Sequence, residues 1–262
     1  VSYSYIVTDS NGGTVSQTAT ITIAGVDDVP TVSAALSSTV TENDGTYSLD
    51  LLAGAEDTDA NDTLNVSGLT LLSGNAAGIT VNGNTLDIDP GVYNSLAEGE
   101  SEVVSYSYSV TDANGNTVVQ TATISIAGVN DTPTVGAALS STVTEEAGAY
   151  SLNLLSDAVD ADTNDSLNVS GLTLVSGDAA GITVNGNTLE IDPGAYTSLA
   201  EEESEVISYS YNVIDGNGGT VAQTATITIT GLNNTPTVSA ELSSSVTEDD
   251  GVFSLDLLSG AS

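Results

Sequence analysis

The sequence predicts an all-β chain built as tandem antiparallel β-sandwich domains in a linear array. Three observations predict it: a long internal repeat, apolar residues alternating with hydroxyl residues, and turn residues bounding each alternating run. Pro30, Pro133 and Pro236 are spaced by 103 residues, and so are Tyr3, Tyr106 and Tyr209. The segment SYSYIVTDSNGGTVSQTATITIAGVDDVPTV at 2–32 returns in close copies at 105–135 and 208–238. A period near 100 exceeds the turn of a solenoid and suits a complete small domain. Two complete repeats therefore run over 30–132 and 133–235. Residues 1–29 read as the closing part of a preceding repeat, and 236–262 as the opening part of a further one.

Within a repeat the elements follow in order. Strands are predicted at about 31–41, 46–52 and 64–72. Ile79-Thr80-Val81 and Thr85-Leu86-Asp87-Ile88 flank Asn82-Gly83, the pattern of a two-residue type I′ hairpin. SLAEGES at 95–101 has room for one helical turn. SYSYSVTD then places Tyr106, Tyr108 and Val110 on one face and Ser105, Ser107 and Ser109 on the other. TVVQTATISI repeats that pattern after Asn114-Gly115-Asn116 and points Ile124 and Ile126 inward. Some seven short strands in ~100 residues describe an immunoglobulin-like sandwich. The junctions GVDDVP, GVNDTP and GLNNTP are too short to behave as random coil, so neighbouring domains are expected nearly to touch.

Composition narrows the function. The 262 residues include no Lys, Arg, His, Cys, Met or Trp, against 36 Asp and Glu, for a formal charge of −36. Self-repulsion of that size opposes the compact state, and cations must supply the missing charge. Nucleic acid is excluded as a partner because phosphate binding relies on basic side chains, and direct binding to an anionic membrane fails on the same sign argument. Disorder is opposed by a hydrophobic fraction of 39%, arranged in alternating runs. No stretch approaches the ~20 apolar residues of a membrane helix, and no signal peptide is visible, because Val1 begins inside a strand-like run. The chain is read as a piece of something longer.

The chain is not expected to be an enzyme. Without His, Cys or Lys there is no imidazole base, thiolate or Schiff base, and no Ser has an activator. The carboxylate pairs Asp87/Asp89 and Glu100/Glu102 share a strand face for structural reasons. The sugar-stacking aromatics of a glycosidase are missing, since Tyr106 and Tyr108 belong to the core.

The acids gather in loops at the two ends of the predicted sandwich. Asp57, Asp59, Asn61 and Asp62 lie in AEDTDAND near the incoming linker, where Asp112 and Asn114 are expected to join them. Glu42, Glu98, Glu100 and Glu102 lie at the far end, and the next linker adds Asn130 and Asp131. Clustered carboxylates cannot all stay ionised side by side without a cation. Calcium takes 6–8 oxygen ligands in flexible geometry, which suits these side chains, whereas zinc, copper and iron prefer His or Cys. Acids elsewhere, such as Asp50 and Asp87, read as solvated surface. An EF-hand is excluded: counted from Asp57, position six is Asp62 rather than Gly and position twelve is Gly68 rather than Glu.

The ending VSYSYSVTDANGNTVVQTATISIAGVNDTP resembles the last two strands and linker of cadherin domains. Together with YNSLAEGESEVVSYSYSVTD, it looks still more like the VCBS and cadherin-like repeats of large bacterial surface adhesins, the extender region of type I secreted, RTX-type proteins. The resemblance implies calcium between successive repeats. Carried over by position, Asp27 and Asp28 would meet Asp57, Asp59 and Asp112 at the first junction. At the second, Glu42, Glu100, Asn130 and Asp131 would meet Asp160, Asp162 and Asp215. Glu145 and Glu203 would serve a third, where Asn234 stands in place of an acid and binding should be weakest. The first linker Asp of the cadherin pattern is replaced by Gly25, Gly128 and Gly231 or a neighbouring apolar residue. The resemblance further implies an extracellular, cell-surface spacer that partners neighbouring repeats of its own chain and projects a distal domain for adhesion or biofilm formation. Two alternatives are a filament or surface layer assembled from like chains and a glycan-binding lectin-like module; the terminal fragments lack the middle strands and could not make a complete domain together.

Overall fold

The computed structural model describes residues 1–60 and 62–261, divided into two compact units, Val1–Val129 and Asn130–Ser262. The first unit opens on an antiparallel hairpin of β1 (Ser2–Thr8) and β2 (Thr14–Thr20), exposed along its whole length. A sandwich follows. Its larger sheet orders β4 (Leu36–Thr41), β11 (Thr117–Ala127), β10 (Ser101–Thr111) and β7 (Asn65–Ser73). Its smaller sheet orders β5 (Tyr47–Asp50), β9 (Thr85–Ile88) and β8 (Ile79–Asn82). A short pair of β3 (Thr31–Val32) and β6 (Ala55–Glu56) flanks them.

The second unit repeats the plan. β12 (Leu139–Thr144), β18 (Thr220–Thr230), β17 (Ser204–Ile214) and β14 (Asn168–Ser176) form the larger sheet. β13 (Tyr150–Asn153), β16 (Thr188–Ile191) and β15 (Ile182–Asn185) form the smaller. A single bridge between Thr134 and Val159 replaces the flanking pair, and another joins Val238 to Ala261.

Alternation sets the core, since successive strand residues face opposite ways. Val104, Tyr106, Tyr108 and Val110 of β10 are buried with Ile124 and Ile126 of β11 against Leu86 and Ile88 of β9, so one core joins the two sheets. Each buried side chain of this size contributes ~1.5–3 kcal/mol. Tyr108 carries its hydroxyl into the interior by donating to the Leu51 carbonyl at 2.8 Å, and Tyr211 does the same to Leu154 at 2.8 Å. Burial pushes both phenols up to about 12.

Four details depart from the sequence reading. The sandwich is antiparallel except at one edge: β4 runs parallel to β11, with Leu36 opposite Ala122, and β12 runs parallel to β18. Alternation specifies faces but not the direction of a partner 86 residues away, where a parallel pair needs only a long connection. The strand predicted at 31–41 breaks over Ser33, Ala34 and Ala35, because its first piece pairs with β6 and its second with β11. The hairpin loop is Gly83-Asn84 rather than Asn82-Gly83, because Asn82 pairs with Thr85. Of those two, only Gly83 has positive φ (61°), as a type II′ rather than a type I′ loop requires. The helical turn is 3₁₀ and lies at Pro90–Tyr93, where Asp89 accepts from the Gly91 amide at 3.2 Å and Pro90 presets φ. Among the described residues no helix is long and apolar enough to cross a membrane.

Candidate metal centre

The turn between β10 and β11 is built around one carboxylate. Asp112 Oδ1 accepts from the amides of Asn114 (2.9 Å), Gly115 (2.6 Å) and Asn116 (2.8 Å), while Oδ2 accepts from Asn116 Nδ2 at 2.9 Å. Burial raises the Asp112 pKa, but these donors outweigh it and hold the carboxyl below its ordinary value. Asp215 repeats the turn with the amides of Asn217, Gly218 and Gly219 at 2.7, 2.9 and 3.0 Å. Its Oδ2 accepts from Asn130 Nδ2 at 3.1 Å, and it too ends below the ordinary value against the effect of burial.

The loop after β6 folds toward that turn. Asp57 Oδ1 accepts from the Asp59 amide at 2.9 Å, and Asp59 Oδ2 accepts from the Asp28 amide at 2.8 Å, tying the linker to the loop. Carboxylate oxygens of Asp27, Asp59 and Asp62 lie within 4.8 Å of one another, as do those of Asp57, Asp62 and Asp112. Asp27 also accepts from the side-chain amides of Asn114 and Asn116. Burial, followed by the charges of Asp27, Asp57, Asp112 and Asp59, pushes Asp62 upward. Asp28 contributes its backbone amide, while its exposed carboxylate joins no such group. Asn61 lies outside the described residues.

In the second unit Asp160 Oδ1 accepts from the Asp162 amide at 3.0 Å, and Asp162 Oδ2 accepts from the Asp131 amide at 2.8 Å. Oxygens of Asp160, Asp162 and Asp165 fall within 4.8 Å of one another. Asp131 is raised by burial and by the charges of Asp162 and Asp160; Asp165 is raised by burial and by Asp162, Asp160 and Asp215. Asn130 Oδ1, Asp131 Oδ2, Asp160 Oδ2, Asp162 Oδ1 and Asp165 Oδ2 are buried and accept no hydrogen bond. Buried bare acceptors are costly, and this chain has no basic side chain to meet them. The donor set of carboxylates and an amide oxygen fits a hard cation.

The remaining sequence-derived candidates stand at the opposite end of each sandwich. Glu42 Oε1 accepts from the Val129 amide at 2.7 Å, and Glu145 Oε1 accepts from the Leu232 amide at 3.1 Å and Asn234 Nδ2 at 3.3 Å. Glu100 and Glu203 close local turns by accepting from the amides of Ala97 (3.2 Å) and Ala200 (3.0 Å). Among the described residues, neither unit by itself gathers its pair into a group of three carboxylates. Glu102, grouped with Glu100 in the sequence, instead accepts from the Asn75 amide at 2.6 Å. The sequence reading places Asp62 in the loop cluster but leaves it out of the set carried over from the resemblance, and it misses Asp165, although their 103-residue spacing and shared Asn-Asp pair mark both.

The glycine departures have a steric cause. A Cβ on Gly128 would lie 2.3 Å from the Ala97 carbonyl oxygen and 2.4 Å from that of Leu96, and one on Gly231 would lie 2.3 Å from that of Ala200. No Asp fits at either position.

Residues 129–230 match the family model of the cadherin-like domain, and residues 27–125 match that of the bacterial Ig domain. The chain is thus similar to cadherin-like and bacterial Ig repeats. The two matched stretches are equivalent parts of successive repeats, so the two family descriptions meet here in one sandwich. Among solved structures the chain is similar to human mucin-like protocadherin EC1-2, at 14% identity over 77% of this chain and 98% of that one, with a TM-score of 0.44. It is also similar to mouse cadherin-23 EC22-24, at 15% identity over 86% and 72% of the two chains, with a TM-score of 0.43. The likeness to Drosophila N-cadherin EC1-4 covers 87% of this chain but 58% of that one, at 14% identity and a TM-score of 0.29. No curated protein matches the sequence.

Proposed function

We propose that this cadherin-like region is a calcium-stiffened extender of a bacterial cell-surface or extracellular adhesin, projecting a distal binding domain for adhesion or biofilm formation, with no catalytic role. The repeats it comprises are 30–132 and 133–235, with parts of two more at 1–29 and 236–262. The reading rests on the buried oxygens around Asp162 that accept no hydrogen bond, in a chain with no Lys, Arg or His to neutralise their charge.

Asp160, Asp162, Asp165, Asp215, Asn130 and Asp131 would hold calcium in the second unit. Asp27, Asp57, Asp59, Asp62 and Asp112 would do so in the first. Glu42 and Glu100, and their counterparts Glu145 and Glu203, are proposed as ligands beside the outgoing linkers. Calcium would supply the positive charge that the site lacks. The protein's part is to position oxygens: the Asp112 and Asp215 turns fix one carboxylate each, and the loop acids hold the linker amides. An ion shared by Asp131 and the 160–165 loop would pin a linker that begins three residues after β11 ends, and so limit its freedom.

Isothermal titration of chelator-treated protein tests this. Calcium should bind with saturable stoichiometry and magnesium more weakly, because magnesium keeps several waters. No saturable calcium binding at millimolar concentration would leave the acids as solvated surface.

A further inference from the structure

One inward position of each larger sheet is polar. Along β11 the buried side chains are Gln120, Ala122, Ile124 and Ile126, and along β18 they are Gln223, Ala225, Ile227 and Ile229. Alternation calls for an apolar side chain at 120 and 223, because a buried carboxamide costs free energy unless its groups are paired. Both glutamines are paired. Gln120 Nε2 donates to the Ala34 carbonyl at 2.7 Å, 86 residues away, and its Oε1 accepts from the Thr121 amide at 2.9 Å. Gln223 Nε2 donates to the carbonyls of Gly136 (3.3 Å) and Ala137 (3.2 Å), and its Oε1 accepts from the Thr224 amide at 2.9 Å.

Their place in the ladder explains the choice. Parallel pairing begins at Leu36 opposite Ala122 in one unit and at Leu139 opposite Ala225 in the other. Two residues earlier, the same register sets Ala34 opposite Gln120 and Ala137 opposite Gln223, but there the incoming chain is no longer a strand. The glutamine side chain supplies the rung that the backbone omits. At the other end of the ladder the Glu42 amide donates to the Ala127 carbonyl and the Glu145 amide to the Thr230 carbonyl, both at 3.0 Å. Each ladder is thus closed by a side-chain rung at its start and a backbone rung at its finish.

Strand direction sets how such a repeat bears tension. The chain enters repeat 133–235 ahead of β12 and leaves it after β18. Because these strands are parallel, tension drags them past each other lengthwise, and the evenly spaced bonds between them resist together. We propose that Gln120 and Gln223 are latches that hold the incoming chain against the closing strand, so that tension reaches the ladder in register. Without the latch, the loose chain pulls on Leu36 or Leu139 alone and the ladder opens from that end. Each glutamine is a positioning residue. The load rests on the extender reading, whereas the latch belongs to a single repeat and needs no calcium.

The test stretches the full 262-residue chain, tethered by its two ends, at constant force in chelator. Two unfolding steps are expected, one for each complete repeat. Gln223→Met keeps the side-chain length and removes donor and acceptor. One step should then come about tenfold sooner, the factor set by one or two net hydrogen bonds, while the step held by Gln120 keeps the parent rate. Gln223→Glu keeps the acceptor for the Thr224 amide and loses only the donor, and it should act in the same direction. Tyr211→Phe separates a latch from ordinary stabilisation, since it removes a hydrogen bond to Leu154 that lies off the parallel pair. It should lower the urea midpoint of the second unit, as Gln223→Met does, yet leave the rate under force unchanged. Unfolding under force that is indifferent to both Gln223 variants, or that Tyr211→Phe hastens equally, would overturn the proposal. A failure of calcium binding bears on the extender reading alone, because this measurement is made in chelator.

Discussion

Asp162→Asn should change sign with the metal. Asp162 is 2% exposed, and its Oδ2 takes the Asp131 amide, so asparagine can keep that hydrogen bond through its own carbonyl oxygen while losing the charge. Without metal, the substitution removes repulsion from Asp131 and Asp160, whose oxygens lie within 4.8 Å of an Asp162 oxygen. Coulomb's law puts such a pair between about 1 kcal/mol in water and about 3.5 kcal/mol at a dielectric of 20. Solvent screening at these partly exposed neighbours favours the lower end, so the variant should gain about 1–2 kcal/mol in chelator. In calcium the balance reverses. A ten- to hundredfold weaker site loses about 1.4–2.7 kcal/mol of linkage stabilisation at saturating ion. At about 4–8 °C per kcal/mol for a domain of this size, the second unit should melt several degrees higher than the parent in chelator and several degrees lower in calcium. Calorimetry of both proteins under both conditions reads this directly. A shift of the same sign in chelator and calcium would mean that Asp162 does not hold the ion.

Tyr108→Phe leaves the buried Leu51 carbonyl without its donor and should cost about 1–3 kcal/mol by urea denaturation, with or without calcium. Gly128→Ala forces a Cβ against two backbone oxygens and should destabilise the first unit by about 1–3 kcal/mol or more, whereas Gly25→Ala, with no atom within 4 Å of the added Cβ, should leave the melting temperature unchanged. The metal-free protein should gain stability as pH falls from neutrality. Asp62, Asp131 and Asp165 are raised above 3.8, so the folded state holds protons that the unfolded state has released, and this penalty disappears on acidification toward 3.8. Below 3.8 the trend reverses, because the depressed Asp112 and Asp215 lose their contribution as they protonate. Melting temperatures in chelator between pH 7 and pH 3 should therefore pass through a maximum.

Tyr106, Tyr108 and Val110 were legible because a period of two fixes which face of a strand is buried, whatever its partners. The parallel pairing of β4 with β11 was not, because no local pattern encodes the direction of a neighbour so distant in sequence. The hairpin was legible to within one residue; Gly83 supplied the positive φ, and the pairing of Asn82 with Thr85 decided which residue followed it. At the candidate site, residue type pointed to a hard cation, while geometry decided membership. Asp165 gathers within 4.8 Å of Asp160 and Asp162, whereas Glu102, which accepts from the Asn75 amide, falls in none of the carboxylate groups among the described residues. Gly128 shows the opposite case, in which a residue that looks like a lost ligand is required by two carbonyls pressed against its Cα.

A bound ion should restrain the linker, and backbone ¹⁵N relaxation at Asn130, Asp131 and Thr132 reads that restraint. With saturating calcium these amides should show order parameters near 0.85, like the flanking strands; in chelator they should fall below about 0.6. Order parameters that stay the same with and without calcium would contradict it.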